Sequence, residues 1–272
     1  MNQKLKKINR IKITVSACVA LILVLIAIFA NVIAPNDPYA TSAAAIRQAP
    51  SSEFLFGTDN LGRCVFSRVL YGARTTIAAT FVLVALSFVL GSFIGVLSGY
   101  YGGILDEIMM RVADVMLAFP QMVVAIAVAG ILGGGLLSAM IALGVTMWTG
   151  FARLARSHTL AIKSCPYVQA ARLAGKGGPA IMMSHILPNI IAPLLTNALT
   201  QIGTTMIGIS GLSFLGLGVV PPTAEWGSMI NESRAYIQIA PWAVLYPAFA
   251  TIVTIIVFNY LGDCVMEYRD ED

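Results

Sequence analysis

The chain has 272 residues, a mean hydropathy of +0.82, 58% hydrophobic residues and only 11% charged ones. A soluble domain carries roughly 25% charged residues, so a large soluble core is excluded and an integral membrane protein is indicated. The net charge of +4 is small, and no interleaving of aromatic and basic residues points to nucleic acid. Cys18, Cys64, Cys165 and Cys264 are far apart and form no C-x-x-C pair, so neither a disulfide framework nor a zinc site is indicated.

A helix needs about 20 apolar residues to cross a bilayer. Uncharged runs of that size predict an all-α protein with six transmembrane helices, at about 13–34, 76–99, 110–131, 137–155, 190–214 and 242–263. Val15-Ser16-Ala17-Cys18 looks like a lipoprotein cleavage site, but the apolar stretch follows Cys18, so an uncleaved first helix is expected. Between the first two spans lies a segment with Pro35, Pro38 and Pro50, expected to be an ordered loop or a short surface helix. Gly133-Gly134-Gly135 marks the turn between the third and fourth spans. The chain divides into residues 1–74, a cytoplasmic tail, first helix and outer loop, and residues 75–272, a five-helix core with a loop over 156–189. With the amino end inside, twelve Lys and Arg residues fall on the inner side and five on the outer, out of 17 in all. That asymmetry places both termini in the cytoplasm.

The third and sixth spans contain Pro120 and Pro247, which remove backbone hydrogen bonds and can kink helices. Asp114 lies one turn past Arg111 and is expected to form a local ion pair at the membrane interface.

The stretch from Gln169 to Asn189 carries Arg172, Lys176 and His185 and no acid. Pro166 suits the first turn of a helix, and Gly177-Gly178-Pro179 ends it. Ala171, Ala174 and Gly175 fall at i, i+3 and i+4 and share one nearly bare face. A basic loop against anionic lipid would account for the charges. A short docking helix for a soluble partner would account for the small residues as well.

The spacing of this stretch resembles the cytoplasmic coupling motif of binding-protein-dependent ABC importer permeases. It reads Gln169-Ala170-Ala171, then Gly175, then His185-Ile186-Leu187-Pro188. Gln169 stands where an acid is usual and His185 where an isoleucine is usual. Gly57-Thr58-Asp59-Asn60-Leu61-Gly62-Arg63 is similar to the outer-loop signature of the C-type subunit in oligopeptide, dipeptide and nickel importers, with Cys64 in place of an Asp. Ser213-Phe214-Leu215-Gly216-Leu217-Gly218 and Pro221-Pro222-Thr223-Ala224-Glu225-Trp226-Gly227 are similar to the segment after that subunit's fifth helix.

The resemblance implies a permease subunit of the bacterial or archaeal inner membrane that passes a peptide, or nickel in a chelate, to the cytoplasm by alternating access. It implies partners: a homologous second permease, cytoplasmic ATPase subunits that bind ATP and Mg, and an extracytoplasmic solute-binding protein. Gln169, Ala170, Ala171, Arg172, Ala174, Gly175, Lys176 and Pro188 would form the ATPase-coupling site. Glu225 and Trp226 would contact the binding protein, although Trp also suits any bilayer interface.

No Walker A is present, since Lys176 is followed by Gly177. No catalytic or metal-ligating constellation is found, so this chain is expected not to be an enzyme and to hold no cofactor. In the fifth span Asn197, Gln201 and Thr204 fall at i, i+4 and i+7 and make a polar stripe. Such a stripe lines a solute pathway or bonds to neighbouring helices. A passive channel or a secondary transporter would need no ATPase partner and would not carry the coupling motif.

Overall fold

The computed structural model describes the backbone of residues 2–270 and the side chains of residues 9–268. The expected inner-face cations Lys4, Lys6, Lys7 and Arg269 lie outside the described side chains. Helix α1 (Asn2–Ile28) is followed by the one-turn α2 (Ala30–Ile33). The next segment is irregular apart from a 3₁₀ turn at Ala43–Ala45, so it is a loop rather than a surface helix. Among the described residues no strand forms beyond a single bridge between Thr58 and Cys64.

Helix α3 (Val65–Tyr101) begins at Val65 instead of 76 and is 37 residues long. At 1.5 Å per residue it spans about 55 Å, well beyond a hydrocarbon core of about 30 Å. Position 74/75, where the chain was divided, falls inside this helix. Helices α4 (Gly103–Leu117) and α5 (Gln121–Ile131) follow. They were expected as one span over 110–131. The structure breaks them between Leu117 and Gln121 and bends them by 90°. Pro120 is the cause, because it lacks an N–H and drives Phe119 away from helical dihedrals. Pro247, by contrast, sits inside an unbroken helix.

Helix α6 (Leu136–Lys163) leads into α7 (Pro166–Leu173). The chain then enters α8 (Gly178–Ile181), a π turn over Met182–Ile186, and α9 (Leu187–Phe214). The π turn precedes Pro188, whose ring would collide with the carbonyl of Ser184 in a regular helix. Widening the turn sends the Leu187 N–H to Met182 instead. Helix α10 (Trp226–Ser233), a 3₁₀ turn (Arg234–Tyr236) and α11 (Trp242–Asp270) complete the chain. Among the described residues five helices are long and apolar enough to cross a membrane, and the bent pair α4–α5, taken as one broken span, brings the number to six.

The core is stacked in three layers. The middle layer joins α3, α5, α6, α9 and α11 through residues such as Leu83, Ala125, Phe151, Ile209 and Phe258. The layer toward the Val65 end of α3 holds Val69, Ile77, Met206 and Trp226. The layer toward α7 holds Val96, Ala155, Val168, Ile186 and Leu194. The most extensive helix contact is between α3 and α6. Gly91, Gly95 and Gly99 repeat every four residues and face α6 so closely that added Cβ atoms would lie 2.7, 2.7 and 2.8 Å from the Cβ atoms of Phe151, Ala155 and Thr159. Small residues at this spacing let two backbones pack in a membrane, where no hydrophobic effect pulls helices together.

Candidate functional site

The basic island lies at the end of the bundle where Val96 of α3 and Ala155 of α6 pack against α7 and the foot of α9. Helix α7 has Pro166 in its first turn and stops at Leu173. Gly175 follows with φ +83°, the left-handed conformation that favours glycine. The Lys176 N–H donates to Ala171 O and the Gly175 N–H to Arg172 O, both at 3.1 Å, which is the paired closure of a Schellman stop. Gly175 therefore terminates the helix, a role different from the bare packing face it was expected to share with Ala171 and Ala174. Ala171 is half-buried, and the exposed small residues are Ala170 and Ala174. Beside them stands Leu173, 89% exposed, with Tyr167 at 47%. Sequence reasoning passed over Leu173. Its signal was a large apolar side chain in a helix of only eight residues, too short to bury two sides.

One side chain of α7 is buried. Val168 is 3% exposed and packs with Val96 of α3, Ala155 of α6 and Ile186, Ile190 and Leu194 of the π turn and α9. Lys163, at the end of α6, donates to the carbonyl of Tyr100 and lies 5.6 Å over that ring. Gln169 Nε2 donates to Lys163 O at 3.0 Å and so caps a free carbonyl of α6. A carboxylate, usual at this position, could not donate. The Tyr167 ring stacks on His185 at 6.2 Å, and Lys176 Nζ donates to Ser184 Oγ at 2.9 Å. Arg172 is exposed, and Pro188 is exposed at the foot of α9. Helix α7 is thus fixed to three spans by its inner side and presents an apolar and basic outer side.

Helix α4 is tied to α6 near the same end. Arg156 grips Asp106 with two bonds of 2.5 and 2.6 Å, and Arg153 pairs with Asp114. Asp114 therefore bonds across helices. Its expected neighbour Arg111 instead lies 4.0 Å from Glu107.

The polar stripe of α9 lies higher. Gln201 and Thr204 line a groove of about 320 Å³ between α6, α9 and the α4–α5 break. Gln121, Thr146 and Thr149 line it too. The bend at Pro120 brings Gln121 there. Asn197, expected with them, lies one turn toward α7 and is not part of the lining, whereas Thr205 is. The Thr204 hydroxyl donates to Gln201 Oε1 at 2.8 Å and the Thr149 hydroxyl to Thr146 O at 2.7 Å. The stripe's hydrogen bonds, Thr200 to Asn197 O and Thr204 to Gln201, stay within α9, and the groove carries hydrogen-bonding groups with no fixed charge.

At the opposite end the outer-loop signature builds a buried ion network. Asp59 Oδ1 accepts the N–H groups of Leu61 and Arg63 at 2.9 and 3.0 Å, and Arg63 Nε donates to Asp59 Oδ2 at 2.6 Å. Arg63 also pairs with Glu232, which accepts from Arg68 at 3.3 Å. Burial alone would lower the Arg63 pKa, but the Glu232 bond and the charge of Asp59 outweigh it and hold it above its ordinary value. Its ionisation therefore leaves stability unchanged across ordinary pH.

Glu225 and Trp226 do not fit the surface contact expected of them, because both point inward. Glu225 is 0% and Trp226 2% exposed. Glu225 caps α10, accepting from Gly227 and Ser228 N–H at 3.0 and 2.8 Å, and from Thr76 and Ser210 hydroxyls. Trp226 Nε1 donates to Val69 O at 2.9 Å. The four cysteines are free thiols.

Six spans with a short helix mounted on one end define the class of fold, an all-α membrane bundle. It is similar to a chain of the MetNI methionine ABC transporter in inward-facing conformations, with a TM-score of 0.59 and 19% identity, covering 76% of this chain and 97% of that one. The chain belongs to the family of binding-protein-dependent transport system inner membrane components, which matches residues 91–271. The N-terminal transmembrane domain of oligopeptide transport permease C matches residues 14–50. Two similar relatives are the dipeptide transport system permease protein DppC of Alkalihalophilus pseudofirmus and the glutathione transport system permease protein GsiD of Escherichia coli O6:K15:H31. The first is 38% identical over 91% of this chain and 81% of the relative. The second is 40% identical over 94% and 84%. The chain is accordingly an ABC importer permease of the oligopeptide C type, a multi-pass inner membrane protein.

Proposed function

We propose that this permease carries short peptides into the cytoplasm, driven by ATPase subunits that grip α7. The observation that carries the proposal is the two-sidedness of α7: Leu173 is 89% exposed while Val168 is buried among α3, α6 and α9. An ATPase cleft closing on Leu173, Ala170 and Ala174 would move the three spans together through Val168. The glycine contact makes α3 and α6 one stiff unit, so the displacement reaches the groove at Gln201 and Thr204. ATP and Mg would be bound by the ATPase subunits, with a homologous permease completing the pathway. Orientation follows the charge asymmetry, with α7 and both termini in the cytoplasm and the solute-binding protein at the opposite end. Loop residues around the buried pair Glu225 and Trp226 would then carry that contact. Peptide is preferred to a nickel chelate because the relatives named transport a dipeptide and glutathione. Amide and hydroxyl groups without fixed charge suit a route that must bind weakly and release.

The test is uptake into vesicles holding this chain with its partner permease, ATPase and binding protein. Uptake of labelled dipeptide or glutathione should require ATP. Cysteines placed at 201 and 204 should react with a polar thiol reagent during turnover. Equal uptake without ATP, or both cysteines inaccessible throughout, would sink the reading.

A further inference from the structure

Five arginines lie at the end of the bundle opposite α7, and four of them have partners. Arg63 and Arg68 share Asp59 and Glu232. Arg47 lies 4.7 Å over the Tyr236 ring and Arg234 5.3 Å over the Phe214 ring. Arg74 is exposed and has neither an acid nor a ring partner among the described residues. It stands at the rim of a groove of about 490 Å³ between α3 and α6. Tyr39, Tyr71 and Thr75 share that rim, the two tyrosines edge to face at 6.1 Å.

Below the rim the lining becomes apolar: Ala78 and Val82 on α3, Leu136 and Met140 on α6. From Tyr71 to Val82 the groove follows α3 for roughly 16 Å. The same side of α3 continues as exposed apolar residues at Leu86, Val89 and Phe93. Arg74 is also the last charge before the uncharged run that begins at Thr75. A cation and two tyrosines at that level, with an apolar channel running inward, match the cross-section of one leaflet.

We infer that this groove holds a membrane phospholipid from the leaflet at that end, with Arg74 donating to the phosphate and an acyl chain lying against Val82 and Met140. Arg forms paired, charge-assisted bonds to phosphate oxygens. A peptide fits less well. It brings an amide with every residue, and an amide buried without a partner is costly. The wall below Thr75 offers no hydrogen-bonding side chain, while the groove at Gln201 offers several. The inference needs only that the chain spans a membrane, and is independent of what the transporter carries.

Native mass spectrometry of the transporter assembled around this chain, titrated with dioleoyl phosphatidylglycerol, tests it. Wild type should hold one tight lipid. Arg74→Gln and Val82→Trp, the second of which leaves the arginine in place and fills the channel, should each bind it about tenfold more weakly while assembling normally. Dioleoylglycerol, with the same chains and no phosphate, should bind wild type as weakly as the phospholipid binds Arg74→Gln. Equal affinity in wild type and Arg74→Gln would overturn the inference. So would displacement of the lipid by excess trialanine, which would assign the site to solute. Failure of Arg74→Gln to assemble would assign the arginine to another subunit and overturn it as well.

Discussion

At the end opposite α7, Arg63 and Arg68 are 2% and 1% exposed and are matched two to two by Asp59 and Glu232. At the α7 end, Arg111 and Arg153 are 78% and 50% exposed, and Arg172 has no acid beside it among the described residues. The first set has been withdrawn from water and works as internal structure, joining the outer loop to α3 and α10. The second set remains at the surface, where lipid headgroups or a partner can meet it. Equal charges in a sequence count therefore do different work, and a positive-inside tally treats them alike.

Substitutions that probe this difference should have very unequal effects. The largest is expected in the buried network. Glu232→Gln leaves Arg63 and Arg68 short of one negative charge, and breaking a buried pair costs roughly 3–5 kcal/mol. The thermal transition of the purified protein should fall sharply, and a shift no larger than that of a surface variant would show that water reaches the network. Next is Gly95→Leu, whose side chain must enter the space held by Ala152 and Ala155. Overpacking of this kind costs about 1–3 kcal/mol, so folded yield in membranes should drop while Gly130→Leu, at a position with open space, is tolerated. Gly175→Ala forces a side chain into left-handed backbone at a cost of about 1–2 kcal/mol. It should loosen the end of α7 and weaken ATPase binding, with little change in melting of the spans. The smallest effect belongs to Glu107→Gln, which removes an exposed pair worth about 0–1 kcal/mol. Melting should stay within error of wild type.

Much of this arrangement was legible in the sequence, for identifiable reasons. Six spans could be read because charge is absent over bilayer-length runs. The start of α7 followed from Pro166, whose effect is local, but a different glycine ends it: Gly175 closes the helix after Leu173, ahead of the expected stop at Gly177-Gly178-Pro179. Two kinds of feature were not legible. The first is pairing over long sequence separation. Arg68 and Arg74 made the start of α3 look like loop, because Glu232, the acid that neutralises Arg68, is 164 residues away. The same distance effect hid Val69 as the partner of Trp226, so a buried anchor was read as a surface aromatic. The second is the spacing of Gly91, Gly95 and Gly99, which was present in the sequence but masked by the uniform apolarity around it. Pro120 was visible as a possible kink. The size of its bend, and the polar groove that the bend helps form, depend on where α6 and α9 stand.

The central claim is that the exposed side of α7 is where the driving subunit holds the permease. It is tested most directly by purifying the chain from cells that co-express its ATPase and partner permease, as wild type and as Leu173→Glu. Leu173 is 89% exposed, so the substitution should leave the membrane bundle folded and its melting unchanged. The account predicts that the ATPase co-purifies with wild type and is lost from Leu173→Glu, and that peptide uptake is lost with it. A Leu173→Glu protein that keeps its full complement of ATPase would contradict the account, and the basic island would then be a lipid-facing loop.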